Sequence, residues 1–422
     1  MSVAEAPRVE VERAIHPAWL WGAAAMLLVA LLGQQGVLVL AAALLLCAEG
    51  VSYVWGRHAL SHVSYRRVLA QRRIRWGEEV TLEIVVENRK LLPLPWLRIE
   101  DEAPAALMWS TGLGATFTRE RGLLRHLLSV LWYQRVRRRY TLRGTARGEH
   151  LFGPAELRSG DIFGLSIVSL AVPARDALLV YPKVVPLTAL GLPAAQPFGD
   201  VATRRRLYED PTRTVGIRDY AAGDSPRHMH WKATARAGAP QVRVFEPVRT
   251  LRAALFLDVA TGAPTDKGIW RGYDEDLLEL AIVTAASTAV HLLAEGCAVG
   301  LYTNGRALAR EGLIEVPPGA TPATELAILE GLARIHAMPA APLDRVIRYE
   351  ESRLPATACA IVVSAAVTPA LLDAAARLRA AGRAVALVCI GDGNNPSVPA
   401  GIVVRQVGGE KGWRALPALR LV

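Results

Sequence analysis

The chain has 422 residues, 52% of them hydrophobic, with a formal net charge of +10 and four cysteines. The length leaves room for two or three domains, each with its own core. Cys47, Cys297, Cys359 and Cys389 stand inside apolar runs without paired spacing. This excludes a disulfide framework and a zinc site and predicts buried thiols in a reducing compartment.

From Pro17 to Ala48 no residue is charged. As one helix that run would reach about 48 Å, well beyond a ~30 Å hydrocarbon core. Gly33-Gln34-Gln35-Gly36 interrupts it, which predicts a membrane hairpin with helices over about 17–32 and 37–55. One long tilted span is the alternative. A signal peptide is excluded by the length of the run and by the lack of a small-residue cleavage site. Arg57, Arg66, Arg67, Arg72, Arg73 and Arg75 follow. By the positive-inside rule they place the large C-terminal part in the cytoplasm of a cell whose inner membrane the chain crosses more than once. With Arg135, Arg137, Arg138 and Arg139 they account for the charge through topology and anionic lipid. No zinc-finger spacing or RNA-binding aromatic motif accompanies them, so the bilayer and not nucleic acid is the expected partner of these cations.

Val80, Leu82, Ile84 and Val86 then alternate with more polar residues, the period of a half-buried strand. Further short strands are expected at 96–100, 138–143, 149–152 and 177–181. Together they predict a small β-sandwich over 62–185, after an N-terminal tail and hairpin over 1–60. Residues 121–133 interrupt it with basic and apolar side chains, to rest on the membrane surface or against the sandwich. A connector follows over 186–250. From 251 to 422 strands (251–258, 298–303, 358–364, 384–390, 402–407) alternate with helices (274–294, 322–336, 369–381), as in a doubly wound α/β sheet.

The connector holds the densest cluster of functional residue types, GIRDYAAGDSPRHMHWKATAR over 216–236. Its Arg218, Tyr220, Gly223, Asp224, Arg227, Trp231, Lys232, Ala235 and Arg236 form a string that resembles the signature of bacterial membrane proteins grouped as domain of unknown function 58. Arg147-Gly148-Glu149-His150, Phe152-Gly153-Pro154 and Asp161-Ile162-Phe163-Gly164-Leu165 are similar to a second stretch of that family. The resemblance implies that the α/β region is a von Willebrand A-like domain. It also implies partnership with a MoxR-type AAA+ ATPase in the maturation or assembly of other proteins. The chain itself has no nucleotide-binding loop and no expected cofactor.

A von Willebrand A domain holds a divalent cation through Asp-x-Ser-x-Ser. Here Asp258 is followed by Ala260 and Gly262, and Ser364-Ala365 stand where a later strand should end in aspartate. Even with a hydroxyl from Thr321 or Thr324, one carboxylate makes a poor hard-cation site, so no metal is expected and Asp258 reads as a cap for nearby amides.

The signature admits three readings. In the structural one, Arg218, Tyr220, Gly223 and Asp224 fix a buried or half-buried polar turn, with the charges paired and Trp231 filling a gap between domains. In the second, Arg227, Trp231, Lys232 and Arg236 form an exposed partner-binding surface. In the third, Asp224, His228 and His230 serve a hydrolase, although no recognisable nucleophile accompanies them. The expected molecule is thus a non-catalytic, membrane-anchored cytoplasmic scaffold or adaptor, with the hydrolase as its alternative.

Overall fold

The computed structural model describes residues 9–13, 18–110, 115–118, 120, 122–193, 198, 208–221, 224, 226–248, 252–262, 273–307, 312–355, 358–392 and 397–419. Its contacts divide the chain into two compact units, Met1–Pro182 and Lys183–Val422. The hairpin and the strands over 62–180 fall together in the first, and the segment 186–250 falls with the α/β region in the second.

In the first unit β1 (Val9–Arg13) precedes α1 (Ala18–Leu32) and α2 (Gly36–His58). The two helices pack together across a tight turn in which Gln34 takes φ +49°. α2 has 23 residues, about 34 Å of helix, long and apolar enough to cross a bilayer. Trp21, Leu28, Leu32, Val37, Leu40 and Leu44 are all exposed, so both helices present apolar side chains to their surroundings. Cys47 is exposed on α2, against expectation, whereas Cys297, Cys359 and Cys389 are buried. Burial pushes the Cys359 and Cys389 thiols up to about 12 and about 11, where they are inert.

The unit continues with β2 (Val63–Leu69), β3 (Arg73–Ile74), β4 (Glu79–Asn88), β5 (Leu94–Glu102), β6 (Met108–Ser110), β7 (Ala115–Thr118), β8 (Leu123–Val130) and β9 (Arg135–Arg143). Then come β10 (Gly148–Phe152), β11 (Ala155–Gly160), β12 (Ser166–Val172) and β13 (Asp176–Val180). Three sheets result, ordered β1-β12-β11-β5-β8-β7, β2-β4-β9-β6 and β10-β13-β3. The alternation along β4 sends Val80, Leu82, Ile84 and Val86 into one core with Leu97 and Ile99 of β5 and Leu124 of β8. Residues 123–130 are therefore a strand of this sheet and not an interruption of it, because His126 and the buried leucines alternate with outward residues.

Two expectations about charge change. Arg135 lies directly across from Glu87 and pairs with it at 3.0 Å, so part of the basic run on β9 is balanced within the sheet. Arg67, counted with the juxtamembrane cations, is instead buried. Its guanidinium reaches Asp101 at 2.5 Å and Asp176 at 3.0 Å, donates to the Ala174 carbonyl, and Tyr65 donates its hydroxyl to Asp101 at 2.5 Å. Gly153 shows why the Phe-Gly-Pro stretch needs glycine. Its φ is +85°, and a Cβ there would collide with both the Arg67 guanidinium and the Ala174 carbonyl.

The second unit opens with a two-stranded ribbon, β14 (Tyr208–Asp219) and β15 (Gln241–Val248), with α3 (Trp231–Ala237) between them. The main sheet follows: β16 (Arg252–Leu257), α4 (Glu275–Ala294), β17 (Ala298–Ala307), β18 (Leu313–Gly319), α5 (Pro322–Arg334), β19 (Ile335–Pro339) and α6 (Leu343–Glu351). It closes with β20 (Cys359–Ser364), α7 (Pro369–Ala380), β21 (Ala384–Ile390) and β22 (Val403–Val407). The order is β18-β17-β16-β20-β21-β22, parallel except for β18, and β19 pairs with β17. Numbered from β16, this is the 3-2-1-4-5-6 order of doubly wound sheets.

α6 and α7 cover the face that carries Ala254, Phe256, Val362 and Leu387, and α4 packs on β16, β17 and β20. α4 is also long and apolar enough to cross a membrane, but it is mostly buried and is the core helix of this sheet. Asp274 caps its first turn by accepting from the amides of Asp276 and Leu277.

Candidate functional site

The signature forms the tip of the β14–β15 ribbon. Asp219 lies opposite Gln241 and Arg218 opposite Val242. The chain then turns through Pro226–His228 and enters α3. Asp224 is the hub of the turn. Arg218 grips its two oxygens with both guanidinium nitrogens, each at 2.7 Å, and the Ala221 amide donates to it at 2.9 Å. These bonds, the Arg218 pair foremost, hold the Asp224 carboxyl below the usual carboxylate range. His230 caps α3: its Nδ1 accepts from the Ala233 amide at 3.0 Å. Thr234 and Gly238 close the other end, where Gly238 takes φ +68° and donates back to the Thr234 carbonyl.

The fork is formed and is half-buried, with the Asp224 side chain 19% exposed. The Arg218 side chain is half exposed. Trp231, which would fill a gap between domains in the structural reading and stand exposed in the partner-binding one, is 71% exposed. α3 buries none of its seven residues, so Lys232 and Arg236 stand in solvent with it. The physical reason is length. Two helical turns carried by a two-stranded ribbon have little apolar surface to bury, and local bonds hold them instead. Arg218→Ala is therefore expected to leave the melting temperature of the second unit essentially unchanged, because a solvated pair contributes little. A large fall in calorimetry would show that the tip is buried after all.

Tyr220 is partly exposed, and its amide donates to the Pro240 carbonyl at 2.9 Å. Gly223 lies outside the described residues, as does the side chain of Arg227. His228 lies near enough to Asp224 to help hold its carboxylate charged. His230 offers no ready base at Nδ1, since that lone pair is engaged in the helix cap. The fork likewise engages both Asp224 oxygens.

A second polar centre lies at the C-terminal ends of β16, β17 and β20, where the strand order reverses and doubly wound sheets commonly bind ligands. Asp258 is buried there with Asn304 and Ser364. Its Oδ1 accepts from the Ala260 amide at 3.0 Å and from Asn304 Nδ2 at 2.8 Å, and its Oδ2 accepts from the Ser364 hydroxyl at 3.0 Å. Asn304 also donates to the Ala341 carbonyl at 3.0 Å and accepts from the Val259 amide at 2.9 Å. Burial pushes the Asp258 carboxyl up to about 6, against the bonds to Ala260, Asn304 and Ser364 that favour its charge. Both oxygens are thus satisfied by the protein.

Thr321 caps α5, and its hydroxyl bonds with that of Thr324 at 3.0 Å. Gly262 follows with a small, half-buried backbone position. Among the described residues no group of three or more histidine, cysteine or acidic side chains converges. Asn304 is the member of this centre that sequence reasoning missed. Its only local signal is an amide side chain at the end of a buried strand.

With this geometry in hand, comparison with known proteins gives one sequence relative and distant structural likenesses. The uncharacterized protein YeaD of Bacillus subtilis is 24% identical over 275 residues, 65% of this chain and 63% of that protein, so the aligned part spans less than two thirds of the relative. The CARDB domain of a Pyrococcus furiosus protein matches 28% of this chain and 91% of its own at 9% identity and a TM-score of 0.19. A cohesin module from Clostridium perfringens matches 28% and 95% at 9% identity and a TM-score of 0.21. Likenesses this slight carry no functional content. Residues 216–416, from the signature through the main sheet, match the family described as Protein of unknown function DUF58.

Proposed function

We propose that the chain is a non-catalytic scaffold or adaptor, anchored in the bacterial inner membrane by its hairpin, with its large C-terminal part in the cytoplasm. The observation that carries this reading is the tip of the ribbon. An internally bonded turn presents an exposed Trp231 beside Lys232 and Arg236 on a helix with no buried face. Tryptophan and arginine dominate interface hot spots, and a rigid turn lowers the entropy lost on binding. In this reading the main sheet, with its reversed third strand and Asp258 at the switch point, is a von Willebrand A-like module that works without a metal. The partner is a MoxR-type AAA+ ATPase, which supplies the nucleotide hydrolysis, and their joint task is the assembly or maturation of other proteins.

Membrane anchoring is supported by α2 and by the apolar exposure of both hairpin helices. A two-pass topology is supported by β1, which pairs with β12 of the unit that follows the hairpin and so puts the chain on one side before and after it. Arg57, Arg66 and Arg72 next to the hairpin favour the cytoplasmic side.

The competing hydrolase reading would have to release Asp224 from Arg218 and His230 from its cap. Capture of the purified ATPase by the full chain separates the two. Trp231→Ala, Lys232→Ala and Arg236→Ala are each expected to keep the fold, and any hot spot among them should weaken capture by about 2 kcal/mol, roughly 30-fold. Undiminished capture by all three variants would refute the docking surface.

A further inference from the structure

One end of the first unit bears the helices, and chain direction identifies it. β1 runs toward Arg13, which pairs with Ser166, before α1 begins. On the way back α2 rests on the same residue. Ser166 Oγ donates to the Ser52 carbonyl at 3.3 Å, and a Cβ on Gly56 would stand 2.8 Å from Ser166 Oγ. Ser166 opens β12 directly after the turn 161–165.

Strand register carries this end across both large sheets. Ser159 lies opposite Leu97, Leu94 opposite Val130, Glu87 opposite Arg135 and Asn88 opposite Val63. Three loops therefore emerge together, at 89–93, 131–134 and 161–165. Two of them are bonded into one body. Asn88 Nδ2 donates to the carbonyls of Leu92 at 2.9 Å and Leu131 at 3.0 Å, and the Tyr133 amide donates to the Lys90 carbonyl at 3.2 Å. Lys90 Nζ then donates to the Ser61 carbonyl at 2.7 Å and to that of Ala59, just past the end of α2.

These loops carry Leu91, Leu131, Trp132, Tyr133, Ile162 and Phe163, which are 49% to 75% exposed. So many large apolar side chains at one end of a unit are not a stable water-facing surface. The opposite end exposes fewer, Met108 and Leu151, beside the charged Glu120 and Arg175.

We propose that this rim is seated in the headgroup region of the bilayer, where it holds the β unit upright against the membrane at the foot of the hairpin. The inference rests on the reading that α2 crosses that bilayer. Continuity commits the rim to lipid. Val51 and Val54 of α2, within two residues of Ser52 and its contact with Ser166, are exposed and apolar like the hairpin above them. Trp132 and Tyr133 combine an apolar ring with a polar tip, the chemistry that favours the membrane interface.

The test uses the full chain carrying Cys47→Ala, reconstituted in vesicles of equal parts phosphatidylcholine and phosphatidylglycerol. Nitroxide labels are placed singly through Leu44→Cys, Trp132→Cys, Phe163→Cys and Glu120→Cys, and their collisions with lipid-soluble oxygen and a water-soluble nickel chelate are compared. Labels at 44, 132 and 163 are expected to favour oxygen, and the label at 120 to favour nickel. If 44 favours oxygen while 132 and 163 favour nickel, the rim faces water and the proposal is overturned, with membrane crossing intact. If 132 and 163 are shielded from both reagents, the rim is covered by protein and the proposal is likewise overturned. If 44 itself favours nickel, membrane crossing fails and the rim proposal falls with it.

Discussion

Asp101→Ala is expected to cost the first unit about 3–5 kcal/mol, a large share of a domain's stability, because it leaves the buried Arg67 guanidinium only the partly exposed Asp176 and the Ala174 carbonyl. Arg67 and Asp101 are each 1% exposed at the side chain, and Tyr65 also gives its hydroxyl to Asp101. Burial and Asp101 together push the Tyr65 hydroxyl well above its ordinary range, so this is a neutral phenol donating to a carboxylate. Urea unfolding of the full chain in detergent, followed through fluorescence of the β unit, measures the loss. Gly153→Ala should reproduce much of it without removing a charged group, since its Cβ would collide with the Arg67 guanidinium and the Ala174 carbonyl. A loss below 1 kcal/mol in both variants would mean that the pair is solvated.

Asn304→Ala is expected to destabilise the second unit by about 3 kcal/mol or more at neutral pH. It removes a bond to a charged carboxylate, a bond to the Ala341 carbonyl and the acceptor for the Val259 amide. The loss should also depend on pH in a definite direction. Burial holds the Asp258 carboxyl at about 6, above its ordinary 3.8, so between those values the native state keeps a proton that the unfolded chain has released. Stability from this group is therefore greatest at low pH and declines by up to ~3 kcal/mol as pH rises through that window. Removing Asn304 deletes a bond that favours the charged form, which raises the Asp258 value further. The cost of Asn304→Ala should thus be larger at pH 7.5 than at pH 5. A cost independent of pH would show that Asp258 is not the group coupled to Asn304.

Elements with strictly local causes were legible from the residues alone. The alternation in β4 and the strand–helix alternation after residue 251 both give elements within a few residues of expectation. β18 was not legible, because its Pro317 and Pro318 read as punctuation, and only an edge position beside β17 accommodates them. Arg67 carries no mark of burial, since its partners Asp101, Ala174 and Asp176 lie far along the chain. The Arg218–Asp224 fork was readable as a pairing of opposite charges six residues apart, but its exposure was not. Residue type left Trp231 open between a filler of a gap and part of an exposed surface, and what decides for exposure is how little apolar surface the ribbon and α3 offer.

The pairing of β1 with β12 also sets an order of events during synthesis. Val9–Arg13 leaves the ribosome long before its partner strand Ser166–Val172 exists, about 150 residues later in the chain. The hairpin is complete in the meantime, so Val9–Arg13 waits unpaired until β12 emerges. Without β1, β12 would be an open edge, the kind of surface that recruits strands from other chains. Deleting the first dozen residues would leave that edge uncovered, and aggregation during overexpression is the expected symptom.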